Sequence, residues 1–263
     1  MVRVLTTILL AGAVLGGIWA LPLKIFQWAI LLVIGAGLME YTQLVFQDPK
    51  TKIFTVILGM FIAALMTWSP TPELMLGGLI LAIFIAFLWG MTHLQPLGEA
   101  THRVGLIVLG ICYLALTLPF WSRIMEAGRE WVMLLLFPAA LTDTFGFLVG
   151  KSIGRHKLAP NISPNKTWEG FIGGLLGGGL FGTWLAYKLF FENFPVSYPT
   201  LLIIGLIISF FAAMGDLVES LIKRSVGVKD SGKLIPGHGG ALDRLDALTF
   251  VAPVFYFLRH FLL

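Results

Sequence analysis

From Leu201 to Gly215 the chain runs Leu-Leu-Ile-Ile-Gly-Leu-Ile-Ile-Ser-Phe-Phe-Ala-Ala-Met-Gly without a charge, and similar apolar runs recur almost from end to end. Such runs leave little choice of fold. A helix needs roughly 20 apolar residues to cross the hydrocarbon of a bilayer. The runs are continuous rather than alternating, which excludes a membrane β-barrel. In hydrocarbon the backbone must then bond to itself within helices. Over 263 residues the chain is 57% hydrophobic and 12% charged, where soluble domains carry about 25% charge. The expectation is an all-α, polytopic integral membrane protein with no soluble domain.

Nine transmembrane helices are expected, at about 4–20, 25–46, 53–69, 73–90, 104–120, 131–150, 170–190, 200–221 and 246–262. The first follows Arg3 and is read as a retained span rather than a signal peptide, because its apolar run is longer than the usual signal core. Pro70 and Pro72 leave only a tight turn between the third and fourth. The chain divides into an N-terminal set of about five spans, 1–130, and a C-terminal catalytic region, 131–263, with loops at 151–169 and 222–245. In the seventh span Gly170, Gly174, Gly178 and Gly182 form an i+4 stripe, which lets a neighbouring helix pack against bare backbone. Cys112, the single cysteine, reads as a small packed or lipid-facing residue, and no intrachain disulfide is possible.

With nine spans, thirteen of the 18 Lys and Arg residues fall on one side and five on the other. The positive-inside bias puts the N-terminus and both large loops in the cytoplasm, across a plasma membrane of bacterial inner-membrane type.

The chemistry concentrates in residues 216–246, which hold five of the 14 acids and five of the 18 bases. Asp216, Glu219, Ser220 and Lys223 are spaced i, i+3, i+4 and i+7, one face of a helix. Asp243 and Asp246 are again i, i+3. Acids at the membrane boundary need a partner or a function. A Glu219–Lys223 pair at i+4 accounts for Glu219 but leaves Asp216 unexplained. The bland reading of Asp243 and Asp246 is as first-turn acids at a helix N-terminus. Four carboxylates on one side of the membrane point instead to Mg²⁺, a hard ion held by a few carboxylates together with phosphate oxygens. A second cation is left open.

Between these acids lie Lys223, Arg224, Lys229 and Lys233, with Gly227, Gly232, Gly239 and Gly240. Gly227 to Lys233 matches G-x4-G-K, but Leu234 stands where a P-loop has Ser or Thr and no strand precedes it, so the P-loop fold is rejected. Lysine and glycine backbone still suit phosphate, against a bland reading as headgroup cations. His238, between glycines, reads as a phosphate hydrogen-bond donor. Lys166 follows Ser163-Pro164, a helix-start signal, and a helix starting there makes an anion site. Asp143 lies inside the sixth span, either functional or the partner of Lys166 or Arg155. Lys151, Arg155 and Lys157 read as positive-inside residues that also suit lipid phosphate. Glu40, Arg259 and His260 are read as interfacial.

The run Ser220-x-Ile-Lys-Arg-x4-Lys229-Asp-x-Gly-x2-Ile-Pro-x-His238-Gly-Gly-x2-Asp243-Arg-Leu-Asp246 resembles the signature of the phosphatidate cytidylyltransferase (CDP-diacylglycerol synthase) family. The likeness extends to Ser163-Pro-Asn-Lys166-Thr-Trp-Glu169-Gly170 and to Asp143 in Thr-Asp-Thr-Phe. It implies cytidylyl transfer from CTP to phosphatidic acid, giving CDP-diacylglycerol and pyrophosphate. Metal would then fall to Asp216, Asp246, Asp243 and Glu219. Catalysis would involve Asp216, Asp246, Asp243, Lys223 and Lys166. Substrate contacts would fall to Arg224, Lys229, Asp230, Lys233, His238, Gly239, Gly240, Ser220, Asn165 and Asp143. The implied partners are CTP, phosphatidic acid and membrane lipids, with no nucleic acid; a homodimer is left open. Two other readings stand beside it: a CTP-dependent polyprenol or phytol kinase, and a transporter. A transporter would place its charges at the midplane rather than at one face.

Overall fold

The computed structural model describes residue 12 and residues 15–68, 72–232 and 239–262. After a helical stretch at 15–20, the chain forms α1 (Leu23–Val45), α2 (Pro49–Trp68) and α3 (Pro72–His93). Next come α4 (Leu97–Gly110), a π turn (Ile111–Ala115) and α5 (Phe120–Ala127), then α6 (Arg129–Ile153). A hairpin of β1 (Lys157–Ala159) and β2 (Ser163–Thr167) leads into α7 (Trp168–Leu176). Two π turns, Gly177–Gly182 and Tyr187–Phe191, flank the short α8 (Thr183–Ala186). The long α9 (Tyr198–Ser225) and α10 (Leu242–Leu262) complete the bundle.

Six helical stretches among the described residues are long and apolar enough to cross a membrane. The expected count of nine is therefore not reached on that criterion. The first expected span lies mostly outside the described residues. The seventh is interrupted by π turns over its glycines. The fifth extends through α4 and α5 as one stretch, Leu97–Ala127. Large apolar side chains face outward all along the bundle, among them Leu32 at 75% and Phe147 at 66% exposure. A surface of that kind suits lipid rather than water. The protein is a polytopic membrane protein, and the only sheet among the described residues is the two-stranded hairpin.

The glycine stripe does what its spacing predicts. A Cβ on Gly170 would lie 2.7 Å from the Gly146 carbonyl oxygen, and one on Gly174 would lie 2.7 Å from that of Thr142. On Gly178 it would meet the Pro138 carbonyl oxygen at 2.6 Å. The 168–191 segment thus lies backbone to backbone along α6 and holds the hairpin that precedes it.

One local expectation fails. Ser163-Pro164 does not start a helix: Ser163–Thr167 is a strand, and α7 begins at Trp168. The cap is Thr167, whose Oγ1 accepts from the Gly170 N–H at 3.1 Å. Glu169 folds back over the hairpin and accepts from the backbone N–H groups of Arg155 and His156. At the far end α9 stops where Gly227 takes φ +75, and the Val228 N–H donates to the Lys223 carbonyl at 3.0 Å.

Candidate active site

Four elements meet at one end of the C-terminal bundle. Helix α9 presents Asp216, Glu219 and Lys223 from one face, as the i, i+3, i+7 spacing predicts, with Ser220 half-buried beside them. The start of α10 supplies Asp243 and Asp246, β2 supplies Lys166, and α6 supplies Asp143. The two long helices touch at backbone level here. A Cβ on Gly215 would collide with the Asp246 carbonyl oxygen and lie 3.1 Å from the Ala247 Cα.

That contact brings a carboxylate oxygen from each of Asp216, Glu219 and Asp246 within 4.8 Å of the others. Three acids so close repel one another unless cations intervene. Lys166 Nζ lies 2.5 Å from Asp216 Oδ2. Lys223 Nζ lies 2.5 Å from Glu219 Oε2 and 2.6 Å from Asp243 Oδ1. The expected Glu219–Lys223 pair therefore exists, and Asp216, which the sequence left unpaired, has Lys166. Glu219 is 2% exposed, and its Oε1 has no hydrogen-bond partner among the described residues. A buried acid oxygen without a donor, within a trio of hard oxygen ligands, fits Mg²⁺.

Asp243 lies outside that trio. Its Oδ2 accepts from Ser231 Oγ at 2.9 Å and from the Gly240 N–H at 2.8 Å, while Oδ1 faces Lys223. It is engaged in holding the loop to the helix. Asp143, on α6, is exposed, and Asp216, Lys166 and Arg244 are the charged groups near it.

Arg224 points elsewhere. Its Nε donates to the Ile162 carbonyl at 3.2 Å and its Nη1 to that of Val228 at 3.2 Å, which clips the hairpin to the loop after α9. Asn165, Lys229 and Asp230 are exposed, as are Lys151, Arg155 and Lys157. Gly239 takes φ +83, a conformation that favours glycine, and Gly240 is buried. Lys233 and His238 lie outside the described residues.

Sequence reasoning missed Glu40. Read as interfacial, it is 7% exposed and reaches the segment between α9 and α10: its Oε2 accepts from Ser231 Oγ at 3.2 Å and from the Leu242 N–H at 3.0 Å. Its one signal was being an acid in an otherwise apolar span.

The sequence profile described as "Cytidylyltransferase family" matches residues 1–262. A protein named phosphatidate cytidylyltransferase from Bacillus subtilis is 41% identical over 159 residues, 59% of this chain and 58% of its own length. Proteins of the same name from Staphylococcus aureus and Staphylococcus haemolyticus are 43% and 41% identical over 147 residues. Those matches cover 56% of this chain and 55% of theirs, so the chain aligns with little more than half the length of these relatives.

Proposed function

The chain belongs to the cytidylyltransferase family, and from that premise we propose that it transfers the cytidylyl group of CTP to phosphatidic acid. One observation carries the reading: Asp216, Glu219 and Asp246 converge within 4.8 Å, with Lys166 and Lys223 beside them. The names of the relatives point the same way.

In the reaction a phosphate oxygen of phosphatidic acid attacks the α-phosphorus of CTP. The bond between the α-phosphorus and the bridging oxygen breaks, and pyrophosphate leaves with that oxygen. The nucleophile is already ionised, so no strong base is needed. Alignment and charge neutralisation are the requirement. Mg²⁺ held by Asp216, Glu219 and Asp246 would supply Lewis-acid stabilisation of phosphate charge, and a second cation is compatible with the acid count. Lys166 and Lys223 place positive charge beside the acids, and with Lys229, Lys233 and His238 they would hold phosphate oxygens. Asp243 keeps the loop and α10 in register. Arg224 fixes the hairpin that carries Lys166. We also place the N-terminus and the two loops in the cytoplasm, where CTP is, on the strength of the basic asymmetry.

The test uses purified protein with phosphatidic acid, Mg²⁺ and CTP labelled at the α or the γ position. Cytidylyl transfer moves α label into a chloroform-soluble product and leaves γ label in pyrophosphate. Transfer of γ label to the lipid would make the protein a kinase and overturn the reading.

A further inference from the structure

We infer that Glu40 is a positioning residue for the catalytic loop, reaching from the N-terminal half of the chain to the C-terminal half. The inference rests on the functional reading above but concerns a residue outside the signature that carries it.

Glu40 stands on α1, far in sequence from the acids of the site, yet its carboxylate is buried against Ser231, Gly232, Gly240 and Leu242. Leu242 is the first residue of α10, and its N–H is among those that a helix leaves without an internal partner. The Glu40 carboxylate accepts that N–H and places negative charge at the positive end of the α10 dipole. It therefore caps the helix that carries Asp243 and Asp246 from another element of the fold.

Residues at both ends of the loop close on this carboxylate. A Cβ on Gly232 would lie 2.6 Å from Glu40 Oε1, and one on Gly240 would collide with both Glu40 Oε2 and Ser231 Oγ. Both glycines are thus explained by close approach rather than by phosphate contact alone. Ser231 Oγ also reaches Asp243 Oδ2, and Asp243 in turn faces Lys223, which pairs with Glu219. A continuous polar chain links Glu40 to the carboxylate trio through Ser231, Asp243 and Lys223. The two bonds of Glu40 Oε2, from Ser231 and from Leu242, tie together the start and the end of the loop.

The test compares Glu40→Ala and Glu40→Gln with the wild type in detergent. It uses hydrogen exchange of peptides covering residues 226–248 and initial rates of CTP-dependent lipid labelling. In Glu40→Ala, exchange over the loop and the first turn of α10 should rise at least about tenfold while Arg129–Ile153 and Tyr198–Ser225 stay protected. The kcat should fall at least about tenfold, equivalent to about 1.4 kcal/mol. Glu40→Gln keeps an acceptor oxygen at the same reach and should recover most of both. Unchanged loop exchange in Glu40→Ala overturns the inference. So does faster loop exchange with wild-type kcat, equal loosening of all three regions, or a glutamine variant no better than alanine. Should the wild type fail to transfer cytidylyl groups, the functional reading falls while the exchange data still decide whether Glu40 positions the loop.

Discussion

Lys166 on strand β2 and Asp216 on helix α9 form an ion pair with Nζ 2.5 Å from Oδ2. The pair joins the hairpin to the carboxylate trio and gives the lysine a defined place beside it. A hairpin, rather than the helix start expected at Ser163-Pro164, occupies this position. A strand can extend a lysine sideways toward α9 while the glycine stripe keeps α7 against α6.

Removing that cation should slow turnover more than it unfolds the protein. Lys166→Met is expected to lower kcat/KM for CTP by about a hundredfold, in the range found for lost charge stabilisation of a transition state. Lys166→Arg should retain part of the rate. Thermal midpoints in detergent should move little in either variant, since the pair is about 30% exposed on both sides. A lysine-free variant with wild-type kcat/KM would remove Lys166 from the site.

Gly215 carries the contact that brings the two acid-bearing helices together. A methyl group there would strike the Asp246 carbonyl, so Gly215→Ala must separate α9 from α10. Overpacking of this kind typically costs about 1–3 kcal/mol. The expected outcome is a lowered thermal midpoint together with a raised Mg²⁺ requirement in the rate assay. An unchanged midpoint and an unchanged Mg²⁺ requirement would show that the two helices do not depend on close approach at Gly215.

The proposed membrane orientation rests on the thirteen-to-five division of basic residues in the nine-span reading. In a Cys112→Ala background, Lys157→Cys should resist a membrane-impermeant thiol reagent added to intact cells, and Glu126→Cys should react. Labelling at position 157 from outside would reverse the orientation and remove the site from the cytoplasm.

How much of this the sequence disclosed depends on the range of the interaction. The α9 face with Asp216, Glu219 and Lys223 was legible because helical periodicity acts over a few residues. The stripe at Gly170, Gly174, Gly178 and Gly182 was legible for the same reason, although its partners Gly146 and Thr142 were not. The hairpin was not, because two strands of three and five residues carry too little alternation to outweigh a Ser-Pro helix signal. Partners distant in sequence were hidden altogether. Lys166 for Asp216, Ile162 for Arg224 and Ser231 for Glu40 are matched by the packing of the bundle, and no local pattern records them. Glu40 could have been singled out by the rule applied to Asp143, that an acid within a span needs a reason.

The central claim is that Asp216 and Asp246 act as one metal-binding unit, and a double-mutant cycle on turnover tests it most directly. Ligands of one ion are non-additive, because losing either already removes most of what the ion supplies. Asp216→Asn and Asp246→Asn should each lower kcat with CTP and phosphatidic acid at least about a hundredfold, about 2.7 kcal/mol. The double variant should be scarcely worse than either single one, and all three should assemble as folded membrane protein. Losses that multiply cleanly, or near wild-type turnover in either single variant at saturating Mg²⁺, would contradict the shared site.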